Sequence, residues 1–146
     1  MPPIVALVHH ADAVGPEVDA QRPLSARGLA HAEALALAAR AAGITPAAIW
    51  HSGKLRARQT AEAFYRVCNP FADFRMVRGL RPEDGPQTMR LELGAESRDV
   101  MVVSHMPLLP ALLRAFAPDA VVFPLHGIVV LDRDAGDTWR EIYRGS

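Results

Sequence analysis

Two histidines stand at the ends of aliphatic runs. His10 closes Ile4-Val5-Ala6-Leu7-Val8-His9-His10, and His105 closes Val100-Met101-Val102-Val103-Ser104-His105. Pro107, a residue favoured in the first helical turn, follows the second run. In open α/β sheets ligands bind outside the carboxyl ends of the strands, so two imidazoles at that edge are placed for chemistry rather than packing. A neutral imidazole, with an ordinary pKa of about 6.5, is a competent nucleophile near neutral pH. A third segment, Ser52 to Thr60, indicates which chemistry this is. It sets Arg56 in the first turn of a predicted helix, where a planar guanidinium fork and free backbone N–H groups both favour an anion.

The elements that must carry these residues read as alternating strands and helices. Ile4–Val8 is a short run, apolar on both faces, and predicts a buried strand. A polar loop over residues 11–24 precedes Ser25, which can cap a helix running to about Ala42, with Gly43 as its stop. Ala48–His51 predicts a second strand, and Ser52 a cap for a helix to about Val67. On that helix Ala57, Ala61, Phe64 and Cys68 make the buried stripe, while Arg56, Gln59 and Thr60 lie on another face. Residues 69–86 are proline-rich and predict irregular structure. Helices over Pro86–Leu93 and Pro107–Phe116 flank the strand at 100–104, and Val121–Phe123, Ile128–Leu131 and Trp139–Tyr143 read as closing strands. The expected fold is α/β, a mainly parallel sheet covered by helices on both faces.

Composition bounds the partners. With 146 residues, the chain fits one domain, 1–146, able to bury roughly 70% of its unfolded surface. Sixteen basic residues balance 16 acidic ones, so the surplus expected of a nucleic-acid binder is missing. The lone Cys68 excludes an internal disulfide framework and a cysteine-built metal site, and reads as a small buried hydrophobe. No apolar run reaches the ~18 residues of a membrane span. The N-terminal aliphatic run has no basic region before it and reads as a strand, which makes a cytoplasmic location the expectation.

Four segments, in order, carry a family resemblance. Leu7-Val8-His9-His10-Ala11-Asp12-Ala13 is similar to a first strand with an Arg-His-Gly signature. Arg22-Pro23-Leu24-Ser25-Ala26-Arg27-Gly28 is similar to an arginine-proline-leucine loop entering the first helix. Ser52-Gly53-Lys54-Leu55-Arg56-Ala57-Arg58-Gln59-Thr60-Ala61-Glu62 resembles the start of the second helix, and Val102-Val103-Ser104-His105-Met106-Pro107 the segment with a second histidine. Together they resemble the histidine phosphatase superfamily, the phosphoglycerate-mutase-like enzymes, and within it the short SixA-like phosphohistidine phosphatase branch.

The resemblance implies a three-layer α/β/α fold and phosphoryl transfer without metal or cofactor. His10 would attack phosphorus and become a covalent phosphohistidine. Arg56 and His105 would serve the equatorial oxygens, where charge gathers. His9, Arg22 and Ser52 are expected around the phosphate. Glu83, or Asp84 beside it, is the candidate acid by position, and a phosphoramidate needs less help from an acid than an alkoxide does. The substrate would be a phosphorylated protein bearing phosphohistidine, or a small phosphomonoester, with inorganic phosphate as product and neither nucleic acid nor membrane as partner.

Two positions depart from the signature: His9 replaces its arginine and Ala11 its glycine. A histidine there donates one hydrogen bond and is charged only if its pKa is raised. Loss of one such donor costs about 3–4 kcal/mol of transition-state stabilisation, about 10²–10³ in rate. Arg22 and Arg27 are possible substitutes. If the glycine has positive φ, Ala11 costs about 1 kcal/mol or forces a shift. These departures motivate an alternative, a catalytically weak or inactive phosphate- or protein-binding module.

A metal site is a further alternative, because His9, His10, Asp12 and His105 are ligand types that zinc or iron accept. Neighbouring histidines on a strand point to opposite faces, however, and both reach one ion only if the strand bends. Of the other polar residues, His126 could face the same cleft, His31 and His51 read as structural or surface residues, and Arg58 as solvated or paired with Glu62.

Overall fold

The computed structural model describes residues 2–146. Ten elements follow one another: β1 (Ile4–His9), α1 (Ala26–Ala41), β2 (Ala48–His51), α2 (Leu55–Cys68), β3 (Asp73–Met76), α3 (Pro86–Ala95), β4 (Val100–Ser104), α4 (Leu108–Phe116), β5 (Ile128–Arg133) and β6 (Trp139–Gly145). The strands form one sheet in the order β3-β2-β4-β1-β5-β6. The first four in that order run parallel; β5 and β6 pair antiparallel.

The alternation along each central strand divides the core into two layers. Val5 and Leu7 of β1 join Val100 and Val102 of β4 under Leu109, Leu112 and Leu113 of α4 and Met89 and Leu93 of α3. Ala6 and Val8 join Met101 and Val103 on the other face, under Ala36 and Ala39 of α1 and Ala61 and Phe64 of α2. The alanines let α1 lie close to the sheet. The predicted α2 stripe of Ala57, Ala61, Phe64 and Cys68 is buried as expected. Phe64 is fully buried, and its truncation to alanine would cost about 3–5 kcal/mol.

Capping chemistry follows the sequence closely for α1 and less so for α2. The Ser25 side chain accepts from Gly28 N–H at 3.0 Å, and Gly43 takes φ +87° just beyond the helix. Ser25 also binds the Asp12 carboxylate at 2.7 Å, and a side chain at Gly28 would collide with the Asp12 backbone. The first loop is thereby lashed to α1. Before α2, the capping position belongs to Lys54, and Ser52 turns elsewhere.

Two further expectations are corrected. Asp73–Met76 lies in the segment read as irregular, yet it forms the edge strand β3, paired from Ala48↔Asp73 to His51↔Met76. Its own residues carry little strand signal; the ladder of β2 supplies the pairing. Val121–Phe123 is not a strand. Val121 and Val122 are exposed, and only Phe123 reaches the core. Among the described residues no helix is long and apolar enough to cross a membrane.

Candidate active site

The site is built where β1 and β4 end side by side. His9 pairs in register with Ser104, and His10 N–H donates to the Ser104 carbonyl at 3.1 Å. His10 and His105 are therefore the next residues beyond the ladder, with ring centroids 5.0 Å apart. β2 lies next to β4, so the turn into α2 brings Ser52 and Arg56 to the same edge. Ser52 Oγ lies 2.7 Å from His105 Nε2 and fixes that ring. It also accepts from Lys54 N–H at 3.3 Å, so its own proton is free for Nε2.

Hydrogen bonds to the backbone set the tautomers. A carbonyl only accepts, so His10 Nδ1 must carry the proton it shares with the Ala11 carbonyl at 2.7 Å. In the neutral ring the lone pair is then on Nε2, which leaves that nitrogen able to act as a nucleophile. His9 is the converse: its Nδ1 accepts the backbone N–H of His126 at 2.8 Å, so its proton is on Nε2. His126 in turn donates from Nδ1 to the His10 carbonyl at 2.7 Å and stacks on His9, centroids 4.9 Å apart and planes 6° from parallel.

Burial and crowding of positive groups keep these rings neutral. Burial above all, then His10, His126 and Arg56, pushes His9 down to about 3. His105 falls to about 3 through burial, His10 and Arg56. Burial also lowers His10, to about 4; Arg56, His126 and Arg22 add to that shift and the Ala11 hydrogen bond opposes it. Burial at 5% and 1% exposure thus favours the neutral form of His9 and His105, in which each ring still carries one N–H. Permanent positive charge comes from Arg56, which burial and Arg22 lower from its ordinary value without discharging it. Arg56 Nε and His105 Nδ1 are buried without a hydrogen-bond partner. A buried polar group left unpaired costs about 1–3 kcal/mol, and the oxygens of an anion would relieve that cost.

The other expected residues divide clearly. Arg22, at φ +51°, is half-buried, bonds Val14 O through Nε at 3.0 Å, and its charge is felt at both His10 and Arg56. Arg27 is no substitute for the missing arginine: its side chain is 83% exposed and pairs with Asp12 at 3.2 Å. Glu83 is exposed and lines neither cavity beside Ser52, whereas Asp84 lines one of them. Ala11 is absent from the positive-φ residues, so it carries no left-handed strain. Its N–H donates to Thr60 Oγ1 at 3.0 Å, and Thr60 Oγ1 donates to Arg56 O at 2.8 Å. Gln59 Oε1 accepts from Leu24 N–H at 2.7 Å. The polar face of α2 thus holds the signature loops in place. Arg58 pairs with Glu62 at 3.5 Å, as its spacing predicted.

The strand-alternation argument against a shared histidine cluster does not hold, because β1 ends at His9 and the chain turns at His10. Their ring centroids lie 4.5 Å apart, and one nitrogen each of His9, His10 and His126 falls within 4.8 Å of the others. The tautomers nonetheless mismatch a transition metal. His10 and His126 can offer Nε2 lone pairs, but His9 offers an N–H, a group that serves an anion's oxygen and not a metal. Asp12 is committed to Ser25 and Arg27. The set of one free imidazole lone pair, N–H donors and a half-buried guanidinium suits the chemistry of a phosphoryl group.

This fold and site are those of the histidine phosphatase class. A profile of the histidine phosphatase superfamily (branch 1) matches residues 10–82, half of the chain, and the chain belongs to that superfamily. It is a histidine phosphatase. No curated protein sequence matches the chain. Among solved structures, a protein histidine phosphatase SixA complexed with tungstate superimposes with a TM-score of 0.87 at 23% identity, over 98% of this chain and 96% of that one. A protein of Agrobacterium tumefaciens assigned as the phosphohistidine phosphatase SixA gives 0.81 at 28% identity, over 100% and 99%. Its counterpart from Nakamurella multipartitia gives 0.75 at 22%, over 100% and 96%. The fold is the phosphoglycerate-mutase-like α/β/α sandwich.

Proposed function

We propose that the chain, acting as one catalytic domain over residues 1–146, hydrolyses phosphohistidine on a protein, or a small phosphomonoester, through a covalent phosphohistidine at His10. The observation that carries this reading is the 2.7 Å bond from His10 Nδ1–H to the Ala11 carbonyl, which leaves the Nε2 lone pair free. His10 Nε2 attacks phosphorus, the P–N or P–O bond to the leaving group breaks, and the leaving group takes up a proton. Water then attacks the phosphohistidine, releasing inorganic phosphate and returning the electron pair to Nε2. Arg56 clamps two equatorial oxygens, and His105 and His9 donate neutral hydrogen bonds. Arg22 adds positive charge near His10 and Arg56, and Ser52 holds His105. No step requires a metal or cofactor.

The acid is the least built part of the site. Glu83 and Asp84 remain the candidates by position, and Asp84 faces the cavity beside Ser52. An imidazole leaving group needs little protonation, which favours phosphohistidine as the substrate. The SixA structures, named as histidine or phosphohistidine phosphatases, support the same class. The expected place of action is the cytoplasm.

The experiment is phosphate release from a phosphohistidine-bearing protein and from an aryl phosphate, with EDTA present. Release that ignores EDTA and disappears in His10→Ala, with an acid-labile phosphoenzyme trapped in wild type, is the expected result. Release abolished by EDTA would restore a metal site. Wild type no faster than His10→Ala, with phosphate still bound, would leave a binding module, the reading favoured by a His9 that carries no charge near pH 7.

A further inference from the structure

Positive charge continues outward from the catalytic pocket. Two cavities, of about 430 and 470 Å³, lie along the turn between β2 and α2 and the loop after β3, and both are lined by Ser52, Met76 and Arg81. One takes in Lys54, Arg56 and Arg58; the other takes in Arg78, Gly79 and Asp84. Sharing three residues, they form a single groove. Arg56, of the phosphoryl site, lines one part of it and the exposed Arg78 the other, with Ser52, Met76 and Arg81 shared between them.

The groove is basic although the chain as a whole has zero net charge. Outside the groove some arginines are neutralised at short range, Arg27 by Asp12, Arg66 by Glu33, Arg98 by Glu96 and Arg140 by Asp132, and within it Arg58 is paired with Glu62. Among the described residues Lys54, Arg78 and Arg81 form no such ion pair. The one carboxylate lining the groove, Asp84, accepts the Arg81 backbone N–H at 2.9 Å and leaves the guanidinium uncommitted. Gly79, at φ +96°, makes the turn between Arg78 and Arg81, a conformation that a side chain would disfavour. Like charges gathered this way repel one another until an anion arrives. A single phosphoryl group is already served by Arg56, Arg22 and the histidine donors, so the outer cations answer to something else.

We infer that the groove is a second anion subsite: the enzyme selects substrates that carry, besides the reacting phosphoryl group, a further carboxylate or phosphate docking against Lys54, Arg78 and Arg81. The inference rests on the phosphatase reading for the position of the reacting group. The second anion has two possible sources, a small doubly anionic molecule or an acidic side chain beside the phosphorylated residue of a protein.

Binding of non-hydrolysable ligands tests this apart from turnover. Wild type and the Arg78→Ala/Arg81→Ala double variant are titrated calorimetrically with ω-phosphonocarboxylates of two to six carbons and with the matching alkylphosphonates. Both arginines are exposed, so folding is little affected. In wild type the phosphonocarboxylate of matching length is expected to bind about three- to tenfold tighter than its alkyl counterpart, an advantage that shrinks with added salt. In the double variant the two ligands of each pair should bind equally.

A second arm compares kcat/KM for a histidine phosphopeptide flanked by glutamates with one flanked by glutamines. A preference confined to that arm assigns the anion to a protein substrate; one confined to the phosphonates assigns it to a small molecule. Either supports the subsite. Equal behaviour within every pair, or a preference that survives in the double variant, overturns it. If the alkylphosphonates do not bind and no phosphate is released, the phosphatase reading itself falls and takes the inference with it.

Discussion

The backbone N–H of His126 donates to Nδ1 of His9 across 2.8 Å, joining residues 117 positions apart. This one bond decides what His9 can do, since it places the ring proton on Nε2 and makes the residue a neutral donor. His9→Ala removes that donor and is expected to lower kcat by about 10²–10³. His9→Gln, which keeps a neutral N–H, should retain more activity than His9→Ala. His9→Arg is expected to lose activity, because the slot holds a flat ring stacked on His126 and already faces Arg56. Steady-state kinetics on an aryl phosphate rank the three; an active His9→Arg above wild type would show that the site lacks charge rather than shape.

A second expectation concerns pH. His9, His10 and His105 are held at about 3, about 4 and about 3, below the ordinary histidine value, so the unfolded chain binds their protons first as pH falls. Stability is therefore fully present above about pH 6.5 and declines toward pH 4, by up to about 1.4 kcal/mol per pH unit for each such ring. Urea midpoints at pH 7, 6 and 5 should fall steadily, with a shallower slope in His105→Asn. A flat profile would mean that the rings titrate normally. For the same reason the acid limb of kcat/KM should lie near pH 4, where His10 loses its lone pair to a proton.

Arg56→Lys is expected to behave as a severe loss, not a conservative change. Lysine cannot present the planar fork, and the substitution should cost at least about 10² in kcat. Circular dichroism and a melting curve close to wild type would confirm that the loss is local. Near-normal kcat with raised KM would mean that Arg56 only binds substrate.

Thr60→Val tests the brace beneath the signature. The hydroxyl bridges Ala11 N–H and Arg56 O, and removing it at constant shape leaves the buried Ala11 donor unpaired. A destabilisation of about 1–3 kcal/mol is expected by denaturant unfolding. Activity should fall as well, because the bridged loop carries His10. Unchanged stability would show that water replaces the hydroxyl.

Ser52 differs in kind from Thr60. It is expected to matter chiefly through His105, since its bond from Lys54 N–H is longer at 3.3 Å, so Ser52→Ala should lower kcat about as much as loss of one net hydrogen bond allows, roughly tenfold, with a stability change near 1 kcal/mol. Double-mutant analysis with His105→Asn should show the two effects to be non-additive, as for groups acting through one contact. Full additivity would separate them.

The sequence by itself determined the elements and the cast of residues. Aliphatic runs at Ile4–Val8 and Val100–Ser104, the Ser25 cap and the Ala57-to-Cys68 stripe are local signals, because strand and helix periods and capping bonds act within a few residues. They also placed His10, His105 and Arg56 at one edge of a parallel sheet, since strand ends and helix starts share that edge. Tertiary structure decided the rest. Edge strand β3 exists because β2 offers it a ladder, and Ser52 serves His105, 53 residues away, instead of capping α2. Only the folded chain shows that Arg27 is spent on Asp12 and that His9 is an uncharged donor set by His126. Proton placement and pKa depend on partners brought together across the sheet and on exclusion of water, and neither is written in the spacing of residues along the chain.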